Sequence, residues 1–154
     1  MSKAIYKTQT ILKIPFFEES RGLKVTAQTL FDRNAFDAEA FSGFPDYKTT
    51  KEKIELGKML FNDPVLSGNN TRSCASCHHS NKAFTDGLEK AVSLDGKQTI
   101  KRNTPTLSNI AFQRNFFYDS RVNYLEDQAV AVITNENEMH GSLEKSALDL
   151  KKSK

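Results

Sequence analysis

The stretch Cys74-Ala75-Ser76-Cys77-His78 sets two thiols three residues apart, with an imidazole directly behind the second. This C-x-x-C-H spacing is the attachment sequence of c-type haem. On a short helix Cys74 and Cys77 lie about one turn apart, so both sulfurs reach the vinyl groups along one porphyrin edge. His78 then swings beneath the ring and offers the iron its proximal nitrogen. Other chemistries fit these residues less well. A thioredoxin-like C-x-x-C follows a strand in a βαβ pattern, and no such pattern precedes Cys74. A zinc site needs further Cys or His ligands, and only His79 and His140 remain. The bland alternative is two inert buried cysteines beside an accidental histidine. His79 reads as a polar residue at the crevice rim.

The sixth iron position separates two functions. An electron carrier closes it with Met or His, whereas a catalyst keeps it open and sets an acid–base group nearby. Met139 follows His78 by 61 residues, a separation that suits a carrier's methionine ligand, and His140 competes for the same role. Met59 lies on an amphipathic helix and reads as core. Glu138 directly precedes Met139. Over the distal face, its carboxylate could take a proton from hydrogen peroxide and return it to the departing oxygen, driving heterolytic O–O cleavage. On residue type alone, Glu136 and Glu138 read as solvated loop acids.

The elements that must position these groups are short. Thr49 with Glu52 is a capping-box signature, and the helix it opens carries Ile54, Gly57, Leu60 and Phe61 on one face and stops by Asp63-Pro64. Ser67 to Asn70 reads as a loop and Ser73 to His79 as the next short helix. Asp86-Gly87 and Asp95-Gly96 mark turns in a long connection to Arg102. Asp119 or Ser120 caps a helix bearing Leu125, Ala129, Val132 and Ile133, and Ser142 starts a last one. Upstream, Thr10 to Ile14 alternates like a short strand, Thr26 to Phe41 has loose helical spacing, and Gly43-Phe44-Pro45-Asp46 marks a turn and boundary. The expectation is a mostly α, cytochrome c-like haem domain of short helices and long loops over 49–154. Residues 1–48 form an N-terminal extension, partly irregular, that covers another surface. Long loops supply little apolar burial, and a large buried cofactor is one way to compensate.

The 154 residues carry a formal net charge of +3, 38% hydrophobic residues, 11 Phe and no Trp, which suits one domain or a small domain with an appendage. The mild, dispersed charge gives no argument for nucleic acid, and no apolar run is long enough to span a membrane. Lys13 and Pro15 interrupt the apolar residues from Thr10 to Phe17, so no secretory signal is visible.

Six runs give the strongest indication: 56–64 (LGKMLFNDP), 73–78 (SCASCH), 83–88 (AFTDGL), 102–107 (RNTPTL), 117–121 (FYDSR) and 125–128 (LEDQ). In this order and spacing, the stretch from Leu56 to Leu148 resembles the N-terminal, peroxidatic haem domain of bacterial di-haem cytochrome c peroxidases. It also resembles the related enzymes that mature tryptophan tryptophylquinone. The resemblance implies covalent haem c on Cys74 and Cys77, with His78 as proximal iron ligand. It implies that Glu138 is the distal catalytic glutamate and Gln128 a distal-pocket glutamine hydrogen-bonding peroxide or water. Asn103 matches a residue that helps bind calcium between two haem domains. Tyr118 stands where many members place a tryptophan between the haems, and its redox-active phenol keeps a relay role open.

Two departures accompany the match. Many members carry a histidine between the D-G-L and R-N runs, occupying the distal iron position until the other haem is reduced. Residues 88–102 contain none, so a distal site not blocked in that way is expected. No second C-x-x-C-H occurs in the 154 residues, so the chain reads as a fragment without the second haem-c domain. The expected function is reduction of hydrogen peroxide to water with electrons from a small redox protein, inefficient in isolation and periplasmic in the intact exported protein. The alternatives are a mono-haem electron-transfer cytochrome c with Met139 as sixth ligand, and a cofactor-free module that keeps the fold.

Overall fold

The computed structural model describes residues 3–15, 22–44 and 46–152. Its α-helices are α1 (Lys3–Ile11), α2 (Lys51–Asn62), α3 (Leu125–Thr134) and α4 (Leu143–Lys152), with short 3-10 turns at Pro64–Leu66, Cys74–Ser76, Ser80–Lys82 and Ile110–Phe112. Pairing outside the helices is confined, among the described residues, to isolated bridges. The chain is mostly helical with long loops, as its spacing predicts.

α2 begins one residue later than the Thr49–Glu52 signature implies. Thr50 is the cap, its hydroxyl accepting from Lys53 N at 3.3 Å. The helix ends at Asn62, where extended backbone at Asp63 leads into Pro64. Met59 is 68% exposed, which overturns its reading as core: only the Leu60–Phe61 end of α2 is partly covered. α4 starts as predicted, with Ser142 Oγ accepting from Lys145 N at 3.3 Å. α3 does not. Asp119 and Ser120 belong to a turn closed by the Phe116–Val122 bridge, Asp119 is paired with Arg121, and the helix begins after Tyr124.

The upstream segment differs most from expectation. Thr10 lies inside α1 rather than in a strand, and the 12–13 turn follows, with Lys13 in left-handed backbone. Residues 26–41 form turns rather than a helix, held by Lys24 N to Ala35 O and Asp37 N to Gly22 O, both 2.8 Å. The expected turn at 43–46 includes Pro45, and the interrupted apolar stretch includes Phe16 and Phe17; these three lie outside the described residues. Residues 22–44 pack against the later chain. Phe36 meets Phe112 with ring centroids 5.4 Å apart, Arg114 lies over Phe41, and Ser42 Oγ donates to Glu126 Oε1 at 2.6 Å.

The polypeptide core is small. Among the described residues its buried apolar side chains are Ala27, Ala35, Ala91, Phe116, Ile133 and Met139. One backbone crossing does much to organise it. Gly68 N donates to Met139 O at 2.9 Å, and a Cβ at Gly68 would run into the His140 carbonyl. A Cβ at Gly141 would likewise meet the Leu66 carbonyl. Only glycine lets the 66–68 and 139–141 backbones approach this closely. Ser146 of α4 donates to Val65 O at 3.0 Å and Lys145 Nζ to Gly68 O at 3.1 Å, reinforcing the junction.

Candidate functional site

The C-x-x-C-H segment forms the 3-10 turn Cys74–Ser76. Ser73 N donates to Ser76 Oγ at 3.1 Å, and His78 N donates to Cys74 O at 2.9 Å. Cys77 N donates to Cys74 O at 3.2 Å, so the two cysteines share that short turn. They are free thiols, half-buried, and burial raises the pKa of each. Around Cys77 the Arg72 cation opposes that rise, while the Asp86 and Glu138 carboxylates add to it.

His78 Nδ1 lies 2.8 Å from the Phe84 carbonyl. A carbonyl can only accept, so this bond puts the proton on Nδ1 and leaves the Nε2 lone pair for a metal, as orienting partners do for ligand histidines. The chain folds sharply to deliver that carbonyl: Ala83 and Phe84 both occupy the left-handed region, with φ of 51° and 58°. Two non-glycine residues in succession there are costly. The surroundings fix them, with Phe84 N donating to His79 O at 2.9 Å and Thr106 Oγ1 to Ala83 O at 2.5 Å. An open apolar depression of about 390 Å³, lined by Gly57, Lys58, Phe61, Phe84 and Leu107, lies beside this turn.

Asp86, two residues after Phe84, is held as firmly. It is 7% exposed, and Oδ1 accepts from Leu88 N at 2.9 Å while Oδ2 accepts from Thr104 Oγ1 at 2.8 Å. Burial alone would raise its pKa, but these two bonds, with His78 nearby, outweigh it and hold the carboxyl below its ordinary value.

Glu138 is partly buried rather than a solvated loop acid. It sits in a turn after α3 where Glu138 N, Met139 N and His140 N all donate to Asn135 O. Burial raises its carboxyl pKa, and the Arg121 and Arg72 cations oppose the rise. Arg72, two residues before Cys74, reaches the Glu138 carbonyl at 3.4 Å, which links the Glu138 turn to the C-x-x-C-H segment. Met139 is 4% exposed. Gln128, on α3, keeps its side-chain oxygen Oε1 buried without a hydrogen-bond partner, so that atom makes no bond to Glu138.

Tyr118 and Asn103 lie on adjoining exposed surface. Tyr118 is 80% exposed, with the Arg102 guanidinium 3.7 Å from its ring centre, and Asn103, next to Arg102, is exposed. Among the described residues no cluster of three or more His, Cys, Asp or Glu side chains could hold a metal ion. Four site residues escape the motif reading: Arg72, Phe84 through its carbonyl, Asp86 and Thr104. The last three fall within the 83–88 and 102–107 runs, which is the signal that could have found them.

The residues fit a covalent haem c. Two half-buried sulfurs on one turn could hold it, with a histidine whose Nε2 is free. A buried, unpartnered amide oxygen at Gln128 and the small apolar core are consistent with a large group completing the fold.

Comparison with known proteins agrees. A family model described as di-haem cytochrome c peroxidase matches residues 51–154. The methylamine utilization protein MauG of Methylorubrum extorquens is 42% identical over 95 residues, covering 62% of this chain and 27% of that protein. Cytochrome c551 peroxidase of Pseudomonas aeruginosa is 38% identical over 93 residues, 60% of this chain and 27% of the relative. The chain thus spans about a quarter of the length of these two relatives. A crystal structure of a MauG-like protein associated with microbial copper homeostasis superposes with a TM-score of 0.62 and 31% identity, covering 70% of this chain and 31% of that one. No described helix is long and apolar enough to cross a membrane.

Proposed function

Because the chain belongs to the di-haem cytochrome c peroxidase family, we propose that it is the peroxidatic haem-c domain of a protein that reduces hydrogen peroxide to water. Cys74 and Cys77 would form the thioethers and His78 Nε2 would bind the iron. The haem, when bound, supplies the redox centre at which two electrons and two protons convert one peroxide into two waters. The residues around it handle protons and position. Glu138 accepts a proton from one peroxide oxygen and returns it to the other as the O–O bond breaks, and the Gln128 amide oxygen accepts a hydrogen bond from peroxide or water. Asp86 and the Phe84 carbonyl hold the proximal side.

The observation that carries this reading is the partly buried Glu138, whose turn is linked through Arg72 to the segment bearing the cysteines, beside a histidine whose Nδ1 is fixed by the Phe84 carbonyl. A partly buried carboxyl whose proton affinity burial raises, beside a cofactor-attachment site, suits general acid–base work.

In the intact protein the electrons would come from a small redox protein through a second haem-c domain, with exposed Tyr118 as relay and Asn103 contributing to a calcium site at the joint. The setting would be the periplasm. Residues 88–102 contain no histidine to occupy the distal position, which favours activity without prior reduction. Within the 1–48 extension, residues 22–44 are read as docked on the 49–154 domain. Met139 as the sixth ligand of an electron carrier is the competing reading, since its burial suits a ligand as well as a core side chain.

One experiment separates them. The chain is expressed with haem-ligation machinery, and its intact mass is checked for one covalent haem. A high-spin ferric spectrum and loss of peroxide reactivity in Glu138→Gln support the peroxidase. A methionine-to-iron band, with the redox potential unmoved by Glu138→Gln, supports the carrier.

A further inference from the structure

We propose that Arg72 is a positioning residue for the peroxide chemistry, clamping the haem-attachment segment to the turn that carries Glu138; this rests on the function proposed above. Arg72 stands two residues before Cys74. Its guanidinium donates to three backbone carbonyls on two distant segments: Val92 O at 2.9 Å and Ser93 O at 2.7 Å, with a longer contact to Glu138 O at 3.4 Å. Its own backbone is fixed as well, Arg72 N donating to the hydroxyl of Ser67, a residue 2% exposed. The two segments it reaches are joined to each other by Leu94 N to Asn137 O at 2.9 Å. Removing the guanidinium leaves the Glu138 turn tied to the 92–94 loop, and to Gly68 through Met139 O, but takes away the direct side-chain link from residue 72 to both segments.

The residue type suits the task. A planar fork with several fixed donors can serve carbonyls on separate chains at once, which an ammonium on a flexible stem cannot do with the same geometry. Carbonyl acceptors make this a clamp rather than an ion pair, so the cation keeps its charge free to act on neighbours. Its field also reaches the Glu138 carboxyl and opposes the rise that burial causes there. Arg72 contacts the backbone of Glu138 rather than a reacting atom, so it acts through Glu138.

The test uses the full haem-loaded chain as wild type, Arg72→Gln, Arg72→Lys, Glu138→Gln and the Arg72→Gln/Glu138→Gln double variant. Three quantities are read: covalent haem by intact mass, the rate of the ferric protein with hydrogen peroxide, and amide hydrogen exchange over residues 135–141. Arg72→Gln is expected to keep its haem, lose about 10- to 100-fold in peroxide rate, as for lost hydrogen bonds to a charged group, and exchange faster over 135–141. Arg72→Lys is expected to lie between the two. In the Glu138→Gln background the Arg72→Gln change is expected to lower the rate no further, because the two act as one unit. An unchanged rate and unchanged exchange in Arg72→Gln overturn the clamp, and so does an equal further loss in the double variant. If Arg72→Gln fails to load haem, Arg72→Lys decides: wild-type rate and exchange there overturn the proposal. If Glu138→Gln reacts like wild type, the proposed function fails, and the exchange measurement alone then decides whether Arg72 clamps the turn.

Discussion

His78 Nδ1 and the Phe84 carbonyl are joined by a 2.8 Å hydrogen bond across a turn in which two consecutive non-glycine residues hold left-handed backbone. The turn is bent so that a carbonyl, and not solvent, sets the tautomer of the histidine behind the cysteines. Backbone outliers of this kind cost on the order of 1–3 kcal/mol each and persist only where the surroundings over-determine them. Here Thr106, His79 and Lys82 hold the turn from three sides.

Ala83 makes this cost measurable. Valine tolerates left-handed backbone poorly because of its branched Cβ, so Ala83→Val is expected to lower unfolding free energy by about 1–3 kcal/mol, whereas Ala83→Gly is expected to be tolerated. Chemical denaturation of both variants checks this, and a Val variant as stable as wild type would rule the strain out.

Asp86 gives a pH signature. Its folded pKa lies below the ordinary 3.8, so its contribution is fully present above that value and is lost as pH falls through the folded one. Thr104→Val removes one of its donors and leaves a buried carboxylate less satisfied, at a cost of about 1–3 kcal/mol. Burial then weighs more, the pKa rises, and acid unfolding is expected to shift to higher pH. Circular dichroism followed from neutral into acid reads the shift; identical acid midpoints would remove Thr104 from the account.

Glu138 runs the other way. Burial raises its folded pKa above 4.5, so the folded state binds this proton more tightly than the unfolded one, and stability falls as pH rises from 4.5 through the folded value. Proton acceptance needs the ionised form, so the acid limb of the peroxide rate is expected above 4.5. Glu138→Gln is expected to lower that rate about 10²- to 10⁴-fold and to flatten this part of the stability profile. An acid limb unmoved in Glu138→Gln would assign it to another group.

The docking of residues 22–44 is open to the same kind of test. Ser42 Oγ donates to Glu126 Oε1 in the first turn of α3, and Gly43 N approaches Oε2 of the same residue at 3.4 Å. Ser42→Ala is expected to cost about 0.5–1.5 kcal/mol, and combining it with Glu126→Gln is expected to cost less than the sum of the two. Additive effects, or none, would mean that the segment is not held to α3 through this pair.

What the sequence revealed was mostly local. Asp63-Pro64 ends α2, Ser142 caps α4, and the C-x-x-C-H spacing makes its own short turn, because each depends on neighbours within a few residues. The misreadings share a cause. Thr10 to Ile14 is too short for alternation to separate strand from helix. In 26–41 Phe36 and Phe41 meet Phe112 and Arg114 while Phe31 is 97% exposed, so the apolar spacing marks no helix face. Asp119 is a good cap by type, but Arg121 and the Phe116–Val122 bridge engage its turn first. Arg72 was illegible for a deeper reason: its acceptors lie 20, 21 and 66 residues away and are backbone carbonyls, which every residue possesses.

The glycine crossing at 66–68 and 139–141 also sets an order of assembly. The cysteine turn, His78, the carbonyl that orients it and Thr106, which holds that turn, all lie within residues 73–106, so they can form from a shorter length of chain. Bringing Glu138 alongside requires Gly68 to meet Met139, which closes a loop of about seventy residues, an event whose entropic cost comes before any contact rewards it. The cysteine segment can therefore take its local shape while the Glu138 turn is still undocked, and the proton-handling group arrives only once the long loop has closed.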